Sequence, residues 1–316
     1  MKYAIGAGLL CCLAAADVEA GCTAAAAASP ASYGPISSTL VRTAPQSTSS
    51  TSAGLTCTAG GIALLGTAYF KATITSSQTG MLGPSGDVIA YSIYASNNTT
   101  HPITRGVAFD FASNGLLGTA APSSIPLYFT TVVNNVAAGV YTETLNVRWD
   151  WYYCTGLGAL GLCLGSDSGV DKVSTMTVSM TVVNDCTISA PSISFGSAPM
   201  VSSFAPVSQS ISVACTKGSA YTVALGDGLQ AVRPGGQRRM ISGTNYLAYE
   251  IYKSATTTRW GSVGQGPRAS TDADVNPGNG LGAGSQIFNY NARVDTTQTT
   301  PPAGSYTDSV VLNVSF

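Results

Sequence analysis

The stretch VSTMTVSMTVV (173–183) alternates with a period of two: Met176, Val178, Met180 and Val182 fall on one side, the threonines and Ser179 on the other. That period is the pleat of a strand with one buried face; a helix would need apolar residues three and four apart. Outward from it, the chain is rich in Val, Ile, Thr and Tyr, cut by Gly, Pro, Asn and Ser about every eight to fifteen residues. No stretch keeps a helical period. The reading is all-β: two tandem immunoglobulin-like Greek-key β-sandwiches.

Two sandwiches are expected because the chain is written twice. DVIAYSIYAS (87–96) and NYLAYEIYKS (245–254) share A-Y-x-I-Y-x-S, and AGVYTETL (138–145) matches AGSYTDSV (303–310). GCT (21–23) and DCT (185–187) each precede an aromatic–Gly pair, Tyr33-Gly34 and Phe195-Gly196. A second cysteine follows in CTAG (57–60) and CTKG (215–218). Four matches in one order indicate homologous domains over 21–183 and 185–316.

Residues 1–20 read as a signal peptide. Lys2 precedes an apolar run from Ala4 to Ala16, and Val18-Glu19-Ala20 is a small-x-small cleavage site. The run is too short to span a bilayer. Removing it takes away Lys2, Asp17 and Glu19, leaving 13 basic and 13 acidic residues and a net charge near zero. No basic field remains to attract nucleic acid or anionic lipid. Charged residues are 9% of the chain, a bland surface suited to an extracellular structural protein.

Cys11 and Cys12 leave with the signal, so six cysteines remain and three disulfides are expected in an exported chain. Sequence alone permits fifteen pairings. The repeat, which opens each half with its own cysteine pair, favours Cys22–Cys57, Cys154–Cys163 and Cys186–Cys215.

The halves differ at their ends. In the first, the AG-x-YT strand (141–151) is followed by an apolar loop and then by 173–183; the second stops at Phe316 with its AG-x-YT strand. A sandwich short of its last strand leaves an apolar groove and an unpaired edge, and a strand from another chain is the economical remedy. In the final strand Val310, Leu312, Val314 and Phe316 alternate with Val311, Asn313 and Ser315, and one edge of that strand is expected to bind the donor. With Cys22 expected to be the second mature residue, no extension ahead of the first domain is expected, and the chain is then expected at the end of an assembly.

DCT, SFG, ACTKG, YLAYEIYKS, RWG, the Gly-rich stretch 261–284 and AGSYTD together resemble the spore coat protein U family, whose members include the subunits of archaic, Csu-type chaperone–usher pili. A two-domain member without a donor extension resembles the tip adhesin of such a pilus. The resemblance implies a periplasmic chaperone that lends the missing strand, an outer-membrane usher, and an adjacent pilin whose extension replaces the chaperone. It also implies export through the periplasm to an extracellular pilus tip, where apolar loops attach cells to abiotic or host surfaces and build biofilm.

Strand counting locates those loops. If the strands near 68–75, 87–95, 104–111, 126–133, 141–151 and 172–183 each reverse direction, the loops 76–86, 112–125 and 152–171 share one pole. The loops 96–103 and 134–140 then share the other, beside the exit to the second half. The first set holds GMLG (80–83), GLLG (115–118) and CTGLGALGLCLG (154–165). The surface-binding residues are therefore expected to be Met81, Leu82, Leu116, Leu117, Leu157, Leu160 and Leu162. Met240-Ile241 partly matches Met81-Leu82, which leaves a structural hairpin open as the alternative there. Jointly the seven side chains gain on the order of 10 kcal/mol against an apolar surface before entropy losses. Rival readings are a glycan-binding lectin using Trp149, Trp151 and Tyr152, and a structural coat or pilus-initiating subunit without adhesion. Of Trp149, Trp151, Tyr152 and Tyr153, those facing inward are core.

Catalysis and metal binding find little support. The one histidine, His101, sits in an Asn/Thr loop and has no triad or multi-His partners. DADVNPGNG (272–280) starts like a calcium loop, but Pro277 stands where Gly is required and Ala283 where Glu closes the loop. Asp227 reads as a turn residue and Arg238-Arg239 as a solvated hairpin. No enzyme activity, cofactor or metal is expected.

Overall fold

A computed structural model of the chain describes residues 21–58, 68–117, 122–155, 163, 165–264 and 266–316. The signal-peptide reading of 1–20 and the leucines 157, 160 and 162 lie outside the described residues. The described residues are almost entirely strand and turn, and they bury two separate large apolar cores, one in each half.

The front half opens with β1 (Cys22–Ala24), β2 (Ala31–Ser37), a short helix α1 (Ser38–Thr43) and β3 (Ser47–Ser49). β4 (Leu55–Cys57) and β5 (Tyr69–Thr75) follow, then a tight hairpin of β6 (Met81–Leu82) and β7 (Val88–Ile89). β8 (Tyr91–Tyr94), β9 (Pro102–Ile103), β10 (Ala108–Asp110) and β11 (Tyr128–Thr131) lead to two long strands, β12 (Gly139–Cys154) and β13 (Ser166–Val183). One sheet runs β10-β5-β12-β13-β2 with the β6/β7 hairpin on β12; the other runs β3-β11-β8-β9. Along β12 the period of two is complete: Tyr141, Leu145, Val147, Trp149 and Trp151 are buried, while Val140, Thr142, Thr144, Asn146 and Arg148 are exposed. β13 lies antiparallel to β12 from Gly139–Val182 to Cys154–Ser166, and its other edge pairs parallel with β2. It is an interior strand, and Met176, Val178, Met180 and Val182 all face the core.

The rear half contains β14 (Cys186–Ser189), β15 (Val207–Cys215), β16 (Thr222–Leu225), β17 (Arg238–Ser242) and β18 (Asn245–Lys253). β19 (Arg268–Ala269), β20 (Gln286–Val294) and β21 (Leu312–Ser315) complete it. A five-stranded sheet β14-β15-β20-β18-β17 faces a three-stranded one, β19-β16-β21, around Trp260, Phe288 and Tyr290. The three disulfides are Cys22–Cys57, Cys154–Cys163 and Cys186–Cys215. The first and third each join directly opposed residues of the opening strand pair of their half.

One expectation is corrected here. Arg238 is not a solvated hairpin residue: it is fully buried, paired with Glu250, with Nε on the Gly226 carbonyl at 2.8 Å and Nη2 on the Trp260 carbonyl at 2.8 Å. Burial pushes its pKa down, and the charge is tolerated because each donor finds a carbonyl or carboxylate. The helix α1 has no long period to betray it; its signal is local, Ser37 accepting the Leu40 N–H at 3.2 Å as an N-cap.

The halves meet through a polar junction. Lys217 Nζ reaches Asp87 Oδ1 at 2.6 Å, Asn135 Nδ2 donates to the Leu281 carbonyl at 3.0 Å, and the Ser38 and Thr216 hydroxyls lie 2.7 Å apart. Arg42 also donates to the Gly282 carbonyl. These contacts define the lower end of the front half; the Cys154 end lies opposite, away from the rear half.

Candidate functional site

The rear half is open where the front half is filled. Tyr141 and Tyr306 occupy the same place in AG-x-YT, so Leu145 matches Val310 and Val147 matches Leu312. The pairings agree: Val147 lies opposite Ile74 in β5, and Leu312 opposite Leu225 in β16. In the front half β12 is covered on its free side by β13. Among the described residues β21 pairs only with β16, so it is an edge strand with one side unpaired. The stretch around Phe195-Gly196, which matches the β2 stretch around Tyr33-Gly34, forms no ladder, because the strand that β2 pairs with has no described counterpart.

Between that edge and the 190–196 segment lies a groove of about 390 Å³. Its floor is apolar: Ile211, Leu225, Met240, Ile251 and Tyr290 line it, with Val310 and Leu312 on the edge strand. Val310, Leu312 and Val314 are half-buried against the core, as their alternation requires, whereas Phe316 at the end of the chain is exposed. The charged exception is Asp308, whose Oδ2 accepts the Tyr249 hydroxyl at 2.8 Å and whose Oδ1 accepts the Leu229 N–H at 2.9 Å. Burial, reinforced by Asp308, pushes the Tyr249 phenol well above its ordinary range, so it stays a neutral donor. The surface is suited to an extended strand that presents alternate apolar side chains and completes the ladder of β21.

The apolar loops fall differently from the count made on sequence. Met81 is completely buried, and the β6/β7 hairpin attaches to β12 at Thr142, near the junction. Its hairpin neighbour Asp87 is the residue that binds Lys217. Met81 and Leu82 are therefore not tip residues. Met81 opposite Ile89 repeats Met240 opposite Leu247, and Leu82 on Thr142 repeats Ile241 on Thr307, so this is a structural hairpin of the fold. The 96–103 loop moves the other way: Ala95, Ser96 and Asn97 share a cavity with Leu116 and Leu117 at the far end. The cause is one extra reversal. After β9 the chain turns at Thr104–Val107, with Gly106 at φ 76°, and β10 climbs back up, so 102–110 holds two crossings where one was counted.

The far end keeps Leu116 and Leu117. Leu116 and Leu117 are half-buried on Phe111 and line a cavity of about 350 Å³ with Ile125 and Tyr128. The aromatics below the Cys154–Cys163 loop are core on one face: Trp149, Trp151 and Tyr153 are buried, and only Tyr152 is partly exposed. Trp149 Nε1 donates to the Ala53 carbonyl and Trp151 Nε1 to Asp167, both at 2.9 Å. A side chain at Gly169 would lie 2.3 Å from the Trp151 ring, so glycine is required for that indole to lie flat on β13. A sugar platform built on Trp149 and Trp151 is thereby ruled out. Among the described residues no group of three or more His, Cys, Asp or Glu is placed to hold a metal.

A family model described as the Spore Coat Protein U domain matches residues 9–148 and again 172–313. No curated protein matches the chain in sequence. Among solved structures, a chain of the CsuC–CsuE chaperone–tip adhesion subunit pre-assembly complex from the archaic chaperone–usher Csu pili of Acinetobacter baumannii is similar, with a TM-score of 0.64 and 25% identity. The match covers 93% of this chain and 100% of that one. The CupB6 tip adhesin from Pseudomonas aeruginosa is far more distant, with a TM-score of 0.32 and 14% identity over 93% of this chain and 94% of its own. Matched by the model in both of its halves, the chain belongs to the Spore Coat Protein U domain family.

Proposed function

We propose that the protein is a non-catalytic tip subunit of a chaperone–usher pilus. Its domains are 21–183, which attaches to surfaces, and 185–316, which joins the fibre by accepting a strand. The observation that carries this reading is the unpaired side of β21 above an apolar groove, in a half whose counterpart has that same place filled by β13. A periplasmic chaperone would fill the groove first, an outer-membrane usher would release it, and the extension of the adjacent pilin would replace it; Val310, Leu312 and Val314 line the receiving edge, with Phe316 at its end. The crystallised complex of a chaperone with a tip adhesion subunit, whose chain resembles this one over nearly its whole length, supports the same reading.

For attachment, the residues proposed are Leu116 and Leu117, at the end opposite the junction, together with Leu157, Leu160 and Leu162, which the sequence sets between Cys154 and Cys163. Their targets are apolar abiotic or host surfaces, and biofilm formation follows from many such contacts acting together. Co-expression with an archaic-type chaperone tests the assembly half of the proposal. A one-to-one complex is expected for the native chain and none for Leu312→Arg, which puts a charge into the groove. A native chain that stays monomeric beside the chaperone, with both halves melting together, overturns it.

A further inference from the structure

In the rear half a second cavity adjoins the groove, past the place where the strand that fills its counterpart ends. In the front half the inward side chains of β13 are Ser174, Met176, Val178, Met180 and Val182, opposite Val147, Leu145, Glu143, Tyr141 and Gly139. The AG-x-YT match puts Leu312, Val310, Asp308, Tyr306 and Gly304 at the same five positions. β13 ends at Val183, and Asn184, the next residue of inward parity, is exposed. The front half is already closed there. α1 buries Val41 completely, and Pro84 packs so tightly on Gly139 that a side chain at Gly139 would lie 2.6 Å from its ring.

The matching end of the rear half is hollow. Below Tyr306 is a second cavity of about 340 Å³, with Val201, Phe204 and Leu247 as its floor and Met200 and Pro302 at its rim. Tyr306 lines this cavity and the main groove alike, so the two adjoin across its ring. No charged side chain lines it, and Met200 stands 55% exposed.

We infer that this cavity is a sixth socket of the groove, taking one large apolar side chain of the incoming strand. That side chain lies two residues beyond the position of Val182, where the strand leaves toward its own subunit. The inference rests on the strand-acceptance reading above and adds to it a residue class at a stated place. Direction follows from β13, which runs antiparallel to β12: a strand seated the same way enters beside Phe316 and leaves past Tyr306, over the hollow. Ser197 and Thr300 place hydroxyls in the lining, but the floor is Val201, Phe204 and Leu247, which an aromatic or leucine side chain would cover and an amide such as that of Asn184 would not.

The test appends residues 173–185 through a short Gly-Ser turn after Phe316 of the full chain, so that the copy can fold back along β21. Thermal unfolding is then followed for this fusion, for the fusion with phenylalanine replacing the appended copy of Asn184, and for both carrying Ala198→Trp, which fills the lower cavity. The plain fusion is expected to raise the melting temperature of the rear half. Phenylalanine is expected to raise it by about 3–10 °C more, and Ala198→Trp to abolish only that second increment. A plain fusion that stabilises, with no further gain from phenylalanine, overturns the sixth socket and leaves strand acceptance standing. No stabilisation by either fusion overturns both.

Discussion

Tyr141 and Tyr306 make the same bond, each hydroxyl donating to the carbonyl four residues earlier, at Ala137 and Pro302, at 2.7 Å in both cases. Tyr141 is sealed opposite Met180, whereas Tyr306 is partly exposed and faces an open groove. One local sequence thus gives one local structure, and the difference in burial comes from a strand on one side of it. Stability in the front half is internal; in the rear half, on the proposed reading, part of it waits for a strand from another chain.

The sharpest way to break that contrast is to truncate matched positions. Leu145→Ala removes a fully buried side chain between β5 and β13 and is expected to destabilise the front half by about 2–5 kcal/mol. Val310→Ala, at the matching place, is expected to cost the free chain only about 1 kcal/mol or less, because that side chain is half exposed to the empty groove. Denaturant unfolding of the two variants checks it. Equal costs would mean that the rear half is closed in solution.

Attachment gives the next effect in size. Changing Leu157, Leu160 and Leu162 to Ser, or Leu116 and Leu117 to Ser, is expected to lower adhesion of piliated cells to apolar surfaces about tenfold or more, at unchanged pilus number. Met81→Ala should instead act through stability alone, by about 2–5 kcal/mol, because it fills the core beside the junction. Adhesion lost in Met81→Ala at full stability would restore it to the tip.

Much of this was legible beforehand, and the failures have one root. The period of two in 173–183 and along β12 marks the strands, and the repeated motifs mark two copies and the place of the unpaired edge, because each of these signals is local. The pole of each loop is not local. It depends on how many times the chain reverses, and Thr104-Arg105-Gly106, a turn of three residues inside what reads as one strand, changed the count for every loop before it. Arg238 failed for a related reason: its partners Gly226, Glu250 and Trp260 are brought together only by the closed sandwich.

The smallest effect concerns the joint between the halves. Asp87 is partly buried, which by itself would raise its carboxyl pKa, but the hydrogen bond from Lys217, the Ala137 N–H and Ser85 outweigh burial and hold it below the usual carboxylate range. A carboxylate depressed in the folded state contributes stability above its unfolded pKa of about 3.9 and loses it as pH falls through the lower folded value. The difference in melting temperature between the native chain and Asp87→Asn should therefore be present at pH 7 and shrink as pH drops below about 4. Lys217 is nearly half exposed, so the difference is modest and should also shrink in high salt. A gap that persists unchanged into acid would mean that the asparagine amide disturbs the site whatever the charge of Asp87, and that the charge pair with Lys217 does not carry the joint, leaving it to Arg42, Asn135 and Ser38.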